Sequence, residues 1–193
     1  MNIVERAKGI ILKPKEEWEK ISQENTPNTT ILTTYLIPLA LIPAIASLIG
    51  YGLIGYGPFS SLPFGVKQAV IMLVTLIGGA YLTAFIIDTL APSFGAEKNY
   101  NRAFALVVFA YTPQMVVGIF YILPALGVLA LLAGLYGLYV LYLGIKPMMK
   151  APDEKVTVYF IVSLVVVIVV YFVLSAILTS IFVGSLVRAA AGF

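Results

Sequence analysis

Five long apolar stretches alternate with shorter polar or turn-forming segments along the chain. An α-helix needs about 20 residues to cross the roughly 30 Å hydrocarbon core of a bilayer, and each stretch is close to that length or longer. The stretches are Ile31–Ile49, Val66–Ile87, Ala103–Tyr121, Ala125–Ile145 and Val156–Val183. This pattern predicts an all-α polytopic membrane protein with five transmembrane helices.

The junction between the third and fourth stretches is the least polar of the connections. It contains Leu123-Pro124 and no charged residue, so a tight hairpin or a single re-entrant unit is an alternative to two crossings. The combined stretch is far longer than one bilayer thickness, which favours two full crossings.

Residues 1–30 show a different pattern, in which apolar residues recur at helical spacing with charges between them. Pro14 is typical of the first position of a second short helix. The apolar face comprises Ile3, Ala7, Ile10, Ile11, Trp18 and Ile21. We interpret it either as short amphipathic helices on the inner membrane surface, with Trp18 at headgroup depth, or as a platform for a partner protein. The chain then divides into this cytoplasmic segment and a transmembrane domain, residues 31–193.

Composition agrees with a membrane protein and excludes several chemistries. Of 193 residues, 61% are hydrophobic and 11% charged, against about 45–50% and about 25% in soluble domains. Cysteine and histidine are absent, which removes thiolate nucleophiles, imidazole bases and the commonest transition-metal ligands. The sequence has no glycine-rich phosphate loop and no basic stripe typical of nucleic-acid binding. We therefore expect no enzyme activity, cofactor, metal or nucleic-acid partner.

The distribution of lysine and arginine predicts the orientation. With five crossings, the side of the membrane that holds the N-terminus carries ten cations, and the other side carries two, Lys67 and Arg188. The ten are Arg6, Lys8, Lys13, Lys15, Lys20, Lys98, Arg102, Lys146, Lys150 and Lys155. The positive-inside rule then predicts a cytoplasmic N-terminus and a C-terminus on the opposite side.

Asp88 is the ionisable residue at the cytoplasmic end of the second stretch. A carboxylate within a membrane helix is by default a candidate proton or cation site. The alternative is a solvated, interfacial acid that pairs with Lys98 or Arg102 or caps the following turn.

Prolines interrupt two of the stretches and predict kinks. Pro38 and Pro43 lie in the first, and Tyr111, Thr112, Pro113 and Gln114 follow one another in the third. A proline removes a backbone hydrogen bond and frees a carbonyl. In the third stretch this carbonyl would lie beside a phenol, a hydroxyl and an amide, which predicts either a polar ligand notch or a kink that serves packing.

The fourth stretch has the pattern of a helix that packs closely. Gly127 and Gly134 are seven residues apart, as are Gly137 and Gly144. Small residues at such spacing allow two helix backbones to approach each other. The partner is either another helix of the same chain or the same helix in a second copy, and the sequence does not separate these alternatives.

Four short segments carry a resemblance to a known family. They are Ile11-Leu12-Lys13-Pro14-Lys15-Glu16-Glu17-Trp18-Glu19-Lys20-Ile21, Phe94-Gly95-Ala96-Glu97-Lys98-Asn99-Tyr100, Ala110-Tyr111-Thr112-Pro113 and Leu135-Tyr136-Gly137-Leu138-Tyr139. In this order they resemble prokaryotic members of the YIP-domain (Ypt/Rab-interacting protein) family over nearly the whole chain. The resemblance implies a five-helix integral protein of a prokaryotic cytoplasmic membrane with a cytoplasmic N-terminus. Eukaryotic relatives bind Rab-type GTPases in vesicle trafficking, and we carry over the fold and topology without that partner.

Two classes of function follow. The first is a non-catalytic membrane scaffold or adaptor, which organises the membrane or recruits a cytoplasmic protein through residues 1–30 and self-associates through the fourth helix. The second is a small ion or solute transporter or channel that uses Asp88, Gln114 and the proline-broken helices. No stretch carries a charge near its midpoint, which favours the scaffold.

Overall fold

A computed structural model describes residues 2–55 and 61–191, with the backbone alone for residue 124 and residues 174–191. The side chain of Arg188, which entered the orientation count, lies outside the described residues. Throughout the described ranges the regular elements are helical. They are α1 (Ile3–Leu12), α2 (Pro14–Gln23), span 1 (Asn28–Ile54), span 2 (Leu62–Phe94), span 3 (Tyr100–Ile122), span 4 (Gly127–Met149) and the helix Asp153–Ala191, whose part Asp153–Val173 is span 5.

The five spans are each long and apolar enough to cross a bilayer, so the predicted all-α, five-helix architecture is confirmed. Spans 3 and 4 have 23 residues each and are separate helices. The short 3₁₀ segments Gly118–Ile122 and Pro124–Leu126 make the connection between them. The apolar pattern therefore located every span, although most helices extend a few residues past the apolar stretch.

The helices α1 and α2 pack against each other and form a short hairpin, which we call the N-terminal hairpin (Ile3–Gln23). Asn2 caps α1, because its side-chain oxygen accepts hydrogen bonds from the backbone N–H groups of Val4 at 3.0 Å and Glu5 at 3.3 Å. Pro14 occupies the first turn of α2, as predicted, where its missing N–H leaves no acceptor unsatisfied.

Span 3 lies at the centre of the bundle. Of the most apolar 18 residues of span 3, 67% are buried, whereas the corresponding share for span 5 is 17%. Every residue from Ala103 to Ala110 is buried. A helix that is apolar on all sides is expected in such a position. The largest fully buried side chains include Trp18, Tyr35, Phe104, Phe109 and Tyr159. The core thus contains a residue of the N-terminal hairpin as well as residues of the spans.

The loops that follow spans 2 and 4 meet at one end of the bundle, here called the hairpin end. The Glu97 carboxylate accepts a hydrogen bond from the Lys150 ammonium at 2.5 Å, and the Glu97 backbone N–H donates to the Met149 carbonyl at 2.7 Å. The hydrogen bond and charge of Lys150 lower the pKa of the exposed Glu97 carboxyl. Asn99 caps span 3 by accepting from the Arg102 backbone N–H.

Of the prolines expected to kink spans 1 and 3, Pro38 and Pro113 stand where the helix type changes, whereas Pro43 lies inside the α-helix Ile37–Leu48. Pro38 follows the π-helical segment Leu32–Leu36. In span 3 the α-helix ends at Ala110 and a new one begins at Thr112, directly before Pro113. A proline in the first turn of a helical segment lacks an N–H that would have had no acceptor in that segment, so the interruption at Tyr111 accommodates Pro113.

Glycines that the sequence pattern did not single out bring helix backbones together at the opposite end of the bundle. A Cβ atom on Gly65 in span 2 would lie 2.5 Å from the Cα of Gly52 in span 1. A Cβ atom on Gly50 would overlap the backbone carbonyl of Tyr121 in span 3. Spans 1, 2 and 3 can therefore approach this closely only with glycine at these positions.

Candidate functional site

Trp18 joins the N-terminal hairpin to the spans. Its side chain is fully buried, and the indole N–H donates to the backbone carbonyl of Val140 in span 4 at 2.9 Å. The ring lies edge-on to Phe109 of span 3, with the centroids 6.3 Å apart. Gly144 provides the space, because a Cβ atom there would lie 2.6 Å from the indole ring. The indole therefore contacts two spans through shape and through one directed hydrogen bond.

Tyr136 and Gly137 extend this contact along span 4. The Tyr136 hydroxyl donates to the backbone carbonyl of Ile11 at 2.8 Å, in the last turn of α1, where carbonyls lack intrahelical partners. A Cβ atom on Gly137 would lie 2.8 Å from the carbonyl oxygen of Ala110. Two adjacent residues of span 4 thus make different contacts. The Tyr136 side chain contacts the N-terminal hairpin, and the Gly137 backbone packs against span 3.

A buried ion pair connects the two helices of the hairpin. The Arg6 guanidinium donates to the Glu17 carboxylate at 2.7 Å, and each side chain is 9% exposed. Arg6 also pairs with Glu24, and Lys20 reaches Glu17 at 3.1 Å. Glu17 fits because Gly9 on α1 has no side chain to collide with its carboxylate.

Helical spacing could have located this pair in the sequence. Arg6 lies three residues after Ile3 and four before Ile10, and Glu17 lies four before Ile21, so both charges fall on the apolar face of their helices. A charge on such a face is commonly buried only when it is paired. The signal is therefore a charge that shares the helix face marked out by the apolar residues.

The apolar face of residues 1–30 turns inward, which corrects the expectation of a lipid-facing or partner-facing surface. Ile10, Trp18 and Ile21 are fully or almost fully buried, and Ala7 is buried as well. Ile3 and Ile11 are half-buried at the edge of a groove. Trp18 does not lie on a free surface, because the spans cover this face except along the edge that Ile3 and Ile11 form at the groove.

The charged face of the hairpin stays exposed and contains an open cleft of about 420 Å³. Its lining is polar and mixes both signs of charge. The lining residues are Asn2, Glu5, Arg6, Glu17, Lys20 and Glu24. Asn2, Glu5, Lys20 and Glu24 are exposed, whereas the Arg6–Glu17 ion pair lies buried at the base of the cleft.

The polar residues around Pro113 are distributed among different contacts. Thr112 is buried, with its hydroxyl 2.9 Å from the hydroxyl of Tyr35 in span 1. The Tyr111 hydroxyl lies 3.4 Å from that of Thr83 in span 2. Gln114 instead borders a separate groove on span 4. Tyr111 and Thr112 thus make hydrogen bonds between spans, and the four residues do not converge on one notch.

Asp88 is 7% exposed near the hairpin end of span 2. Within the described ranges it forms no ion pair with Lys98 or Arg102, and its Oδ1 atom has no hydrogen-bond partner. Arg102 instead donates to the Met148 carbonyl at 3.4 Å. Asp88 is therefore a buried carboxylate. The alternative interpretation, a solvent-exposed acid at the membrane interface that pairs with Lys98 or Arg102, does not describe it.

The four glycines of span 4 separate into two pairs. Gly137 and Gly144 face span 3 and the hairpin, as described above. Gly127 and Gly134 border the groove of about 340 Å³ that also includes Gln114. Close packing within the chain thus accounts for one pair, and self-association through the other pair stays a prediction.

The described residues contain no group of three or more histidine, cysteine, aspartate or glutamate side chains arranged to hold a metal ion. Five apolar spans with a helical hairpin packed into their core define a polytopic integral membrane protein. Its sequence matches the Yip1 domain over residues 8–185, which is more than nine-tenths of the chain. The protein therefore belongs to the Yip1 domain family, a non-enzymatic family of membrane proteins.

The match begins inside α1 and includes all five spans as the structure describes them. The resemblance to the YIP-domain family is thus confirmed, and membership of its prokaryotic branch stays a prediction. Comparison with curated proteins and with solved structures gave no match.

Proposed function

We propose that this protein is a non-catalytic membrane scaffold or adaptor whose N-terminal hairpin binds a cytoplasmic protein. The supporting observation is the division of the hairpin into two faces. The apolar face is buried against spans 3 and 4, whereas Glu5, Lys20 and Glu24 are exposed around an open cleft that has the buried Arg6–Glu17 pair at its base. Charges held in a fixed arrangement favour selective recognition of a complementary surface.

The same proposal includes an orientation with the hairpin in the cytoplasm and the C-terminus on the opposite side of a prokaryotic cytoplasmic membrane. The count of ten cations against two supports it. A second copy binding along Gly127 and Gly134 would give a scaffold with two identical clefts.

Reversing one exposed charge of the cleft tests the adaptor role. We expect Glu5→Lys to abolish most of the crosslinking to a stoichiometric protein partner, because the partner's cation would then face a lysine. The measurement is crosslinking in native membranes, followed by purification and quantitative mass spectrometry of the full-length protein.

Glu154→Lys is the matched control. Glu154 is an exposed glutamate at the start of span 5 and makes the same change of charge away from the cleft. It should leave the crosslinked partners unchanged. Equal partner recovery from wild type, Glu5→Lys and Glu154→Lys would contradict the proposal.

Point substitutions are preferable to deletion of the hairpin. Removing residues 1–24 would take Trp18 out of the core and expose Leu106 and the surface around Gly144, which the indole covers. A truncated chain would lose stability together with its charged cleft, so a lost partner would have two explanations.

The alternative function, transport of an ion or small solute, is favoured by one observation. Asp88 is buried with a carboxylate oxygen that has no partner among the described residues, and such a carboxylate within a span is a candidate proton or cation site. Against this alternative, Gln114 borders a groove whose lining does not include Asp88.

Asp88→Asn separates the two functions. If the protein transports a cation through this site, the substitution should abolish flux into liposomes while the folded bundle is retained. If it is a scaffold, wild type and Asp88→Asn should show the same background flux, and partner crosslinking should be equal in both.

A further inference from the structure

An apolar groove of about 500 Å³ lies between α1 and the spans. Ala7 and Leu39 are buried at its base, 8% and 7% exposed. Ile3, Ile42 and Val116 form its sides. Helices from the hairpin, span 1 and span 3 thus share one apolar surface that the rest of the described chain does not fill.

The groove reaches well along span 1. Ile42 lies 14 residues after Asn28, where that span begins, which corresponds to about 21 Å of helix at about 1.5 Å per residue. Pro38, Leu39 and Ile42 belong to a helix that is long and apolar enough to cross a bilayer. An apolar groove along such a span is open to the acyl chains of lipids.

A cation stands at the edge of the groove. Lys8 is exposed on α1 between Val4 and Leu12, at spacings of four residues that place all three on one stripe. Val4 is 56% exposed and Leu12 75% exposed. In the part of the chain that the structure describes, Lys8 has no carboxylate partner, whereas Lys13 pairs with Glu16 at 3.4 Å.

We propose that this groove binds an anionic phospholipid, with one acyl chain between α1 and span 1 and the phosphate at the Lys8 ammonium. The apolar stem of a lysine packs along an apolar surface while its charge reaches the headgroup. Val4 and Leu12 lie on either side of Lys8 and face the same lipid. Bound in this way, the lipid completes the packing of α1 on the spans.

Native mass spectrometry of the full-length protein in detergent tests the proposal. The probes are phosphatidylglycerol, phosphatidylcholine with the same acyl chains, and glycerol phosphate, which has no chain. We expect selective retention of phosphatidylglycerol, and a loss of affinity of about fivefold in Lys8→Gln, the usual effect of one cation at an anionic lipid surface. Lys8→Arg should keep the binding.

Lys15→Gln is the matched control, because Lys15 is an exposed lysine of α2 that does not line the groove. It should bind phosphatidylglycerol as wild type does. Equal losses in Lys8→Gln and Lys15→Gln would overturn the site in favour of diffuse attraction. Glycerol phosphate binding as tightly as the lipid, or equal retention of phosphatidylcholine, would overturn it as well. The unfolding temperature of each variant, including the conservative Lys8→Arg, is measured as well. It shows that the compared proteins are folded.

Discussion

Trp18→Ala should lower the free energy of unfolding by about 3–5 kcal/mol, the usual cost of removing a large buried aromatic side chain. Trp18 is fully buried between the hairpin, Phe109 and span 4, and its hydrogen bond to Val140 would be lost with it. Gly144, which lies against the indole, has no side chain that could move into the cavity. Unfolding of the purified protein in mixed micelles measures the change.

Trp18→Phe provides the control for this substitution. It keeps a buried six-membered ring but removes the pyrrole part of the indole together with its N–H. Its effect should therefore be smaller than that of alanine, about 1–3 kcal/mol, from one lost hydrogen bond and a smaller cavity. An alanine variant as stable as the phenylalanine variant would contradict the packed position of the hairpin.

Arg6→Met should be the next most destabilising change, by about 3–5 kcal/mol, because removing one member of a buried ion pair leaves the other charge unpaired in the interior. The Glu17 carboxylate, 9% exposed, would lose its 2.7 Å contact with the guanidinium. Lys20 still reaches Glu17, so the lower end of the range is expected. Hydrogen exchange of the α1 and α2 amides should increase before that of the spans.

The double variant Arg6→Met/Glu17→Met separates the ion pair from the packing. Replacing both charges with apolar groups of similar length should restore most of the lost stability, since a buried pair is often no better than a hydrophobic contact. If the double variant is as unstable as the sum of the two single ones, the pair is not the reason for the loss.

The spans could be predicted from the sequence because their signal is local. A run of about 20 apolar residues has few alternatives to a transmembrane helix. The predicted stretch Val66–Ile87, for example, lies within the α-helix Leu62–Leu90 and ends a few residues short of it on each side. The amphipathic pattern of residues 1–30 was equally readable, including the role of Pro14. Each of these inferences depends on residues within one element.

The partner of that amphipathic face could not be predicted, because it depends on contacts between distant elements. Trp18 binds a backbone carbonyl, that of Val140, and every residue has such a carbonyl. The sequence therefore contains no signal that identifies the Val140 carbonyl as the hydrogen-bond acceptor. The assignment of Trp18 to a membrane surface was reasonable from spacing alone and wrong about what covers the ring.

The polar residues show the same limit. Thr112 and Tyr111 were recognised as unusual within span 3, but their hydrogen bonds go to Tyr35 and Thr83 on two different helices. Gly137 and Gly134, three residues apart in span 4, have different surroundings for the same reason. Which side of a helix faces which neighbour is a property of the assembled bundle.

Trp18 is the single tryptophan of the chain, and it lies where the N-terminal hairpin meets spans 3 and 4. When it is excited at wavelengths that the twelve tyrosines do not absorb, the intrinsic fluorescence of the protein therefore originates at this contact. An indole in a dry, close-packed environment emits at shorter wavelength than one in water. The wavelength of maximum emission thus reports whether the N-terminal hairpin is packed against the spans or detached from them, and no added dye or label is needed.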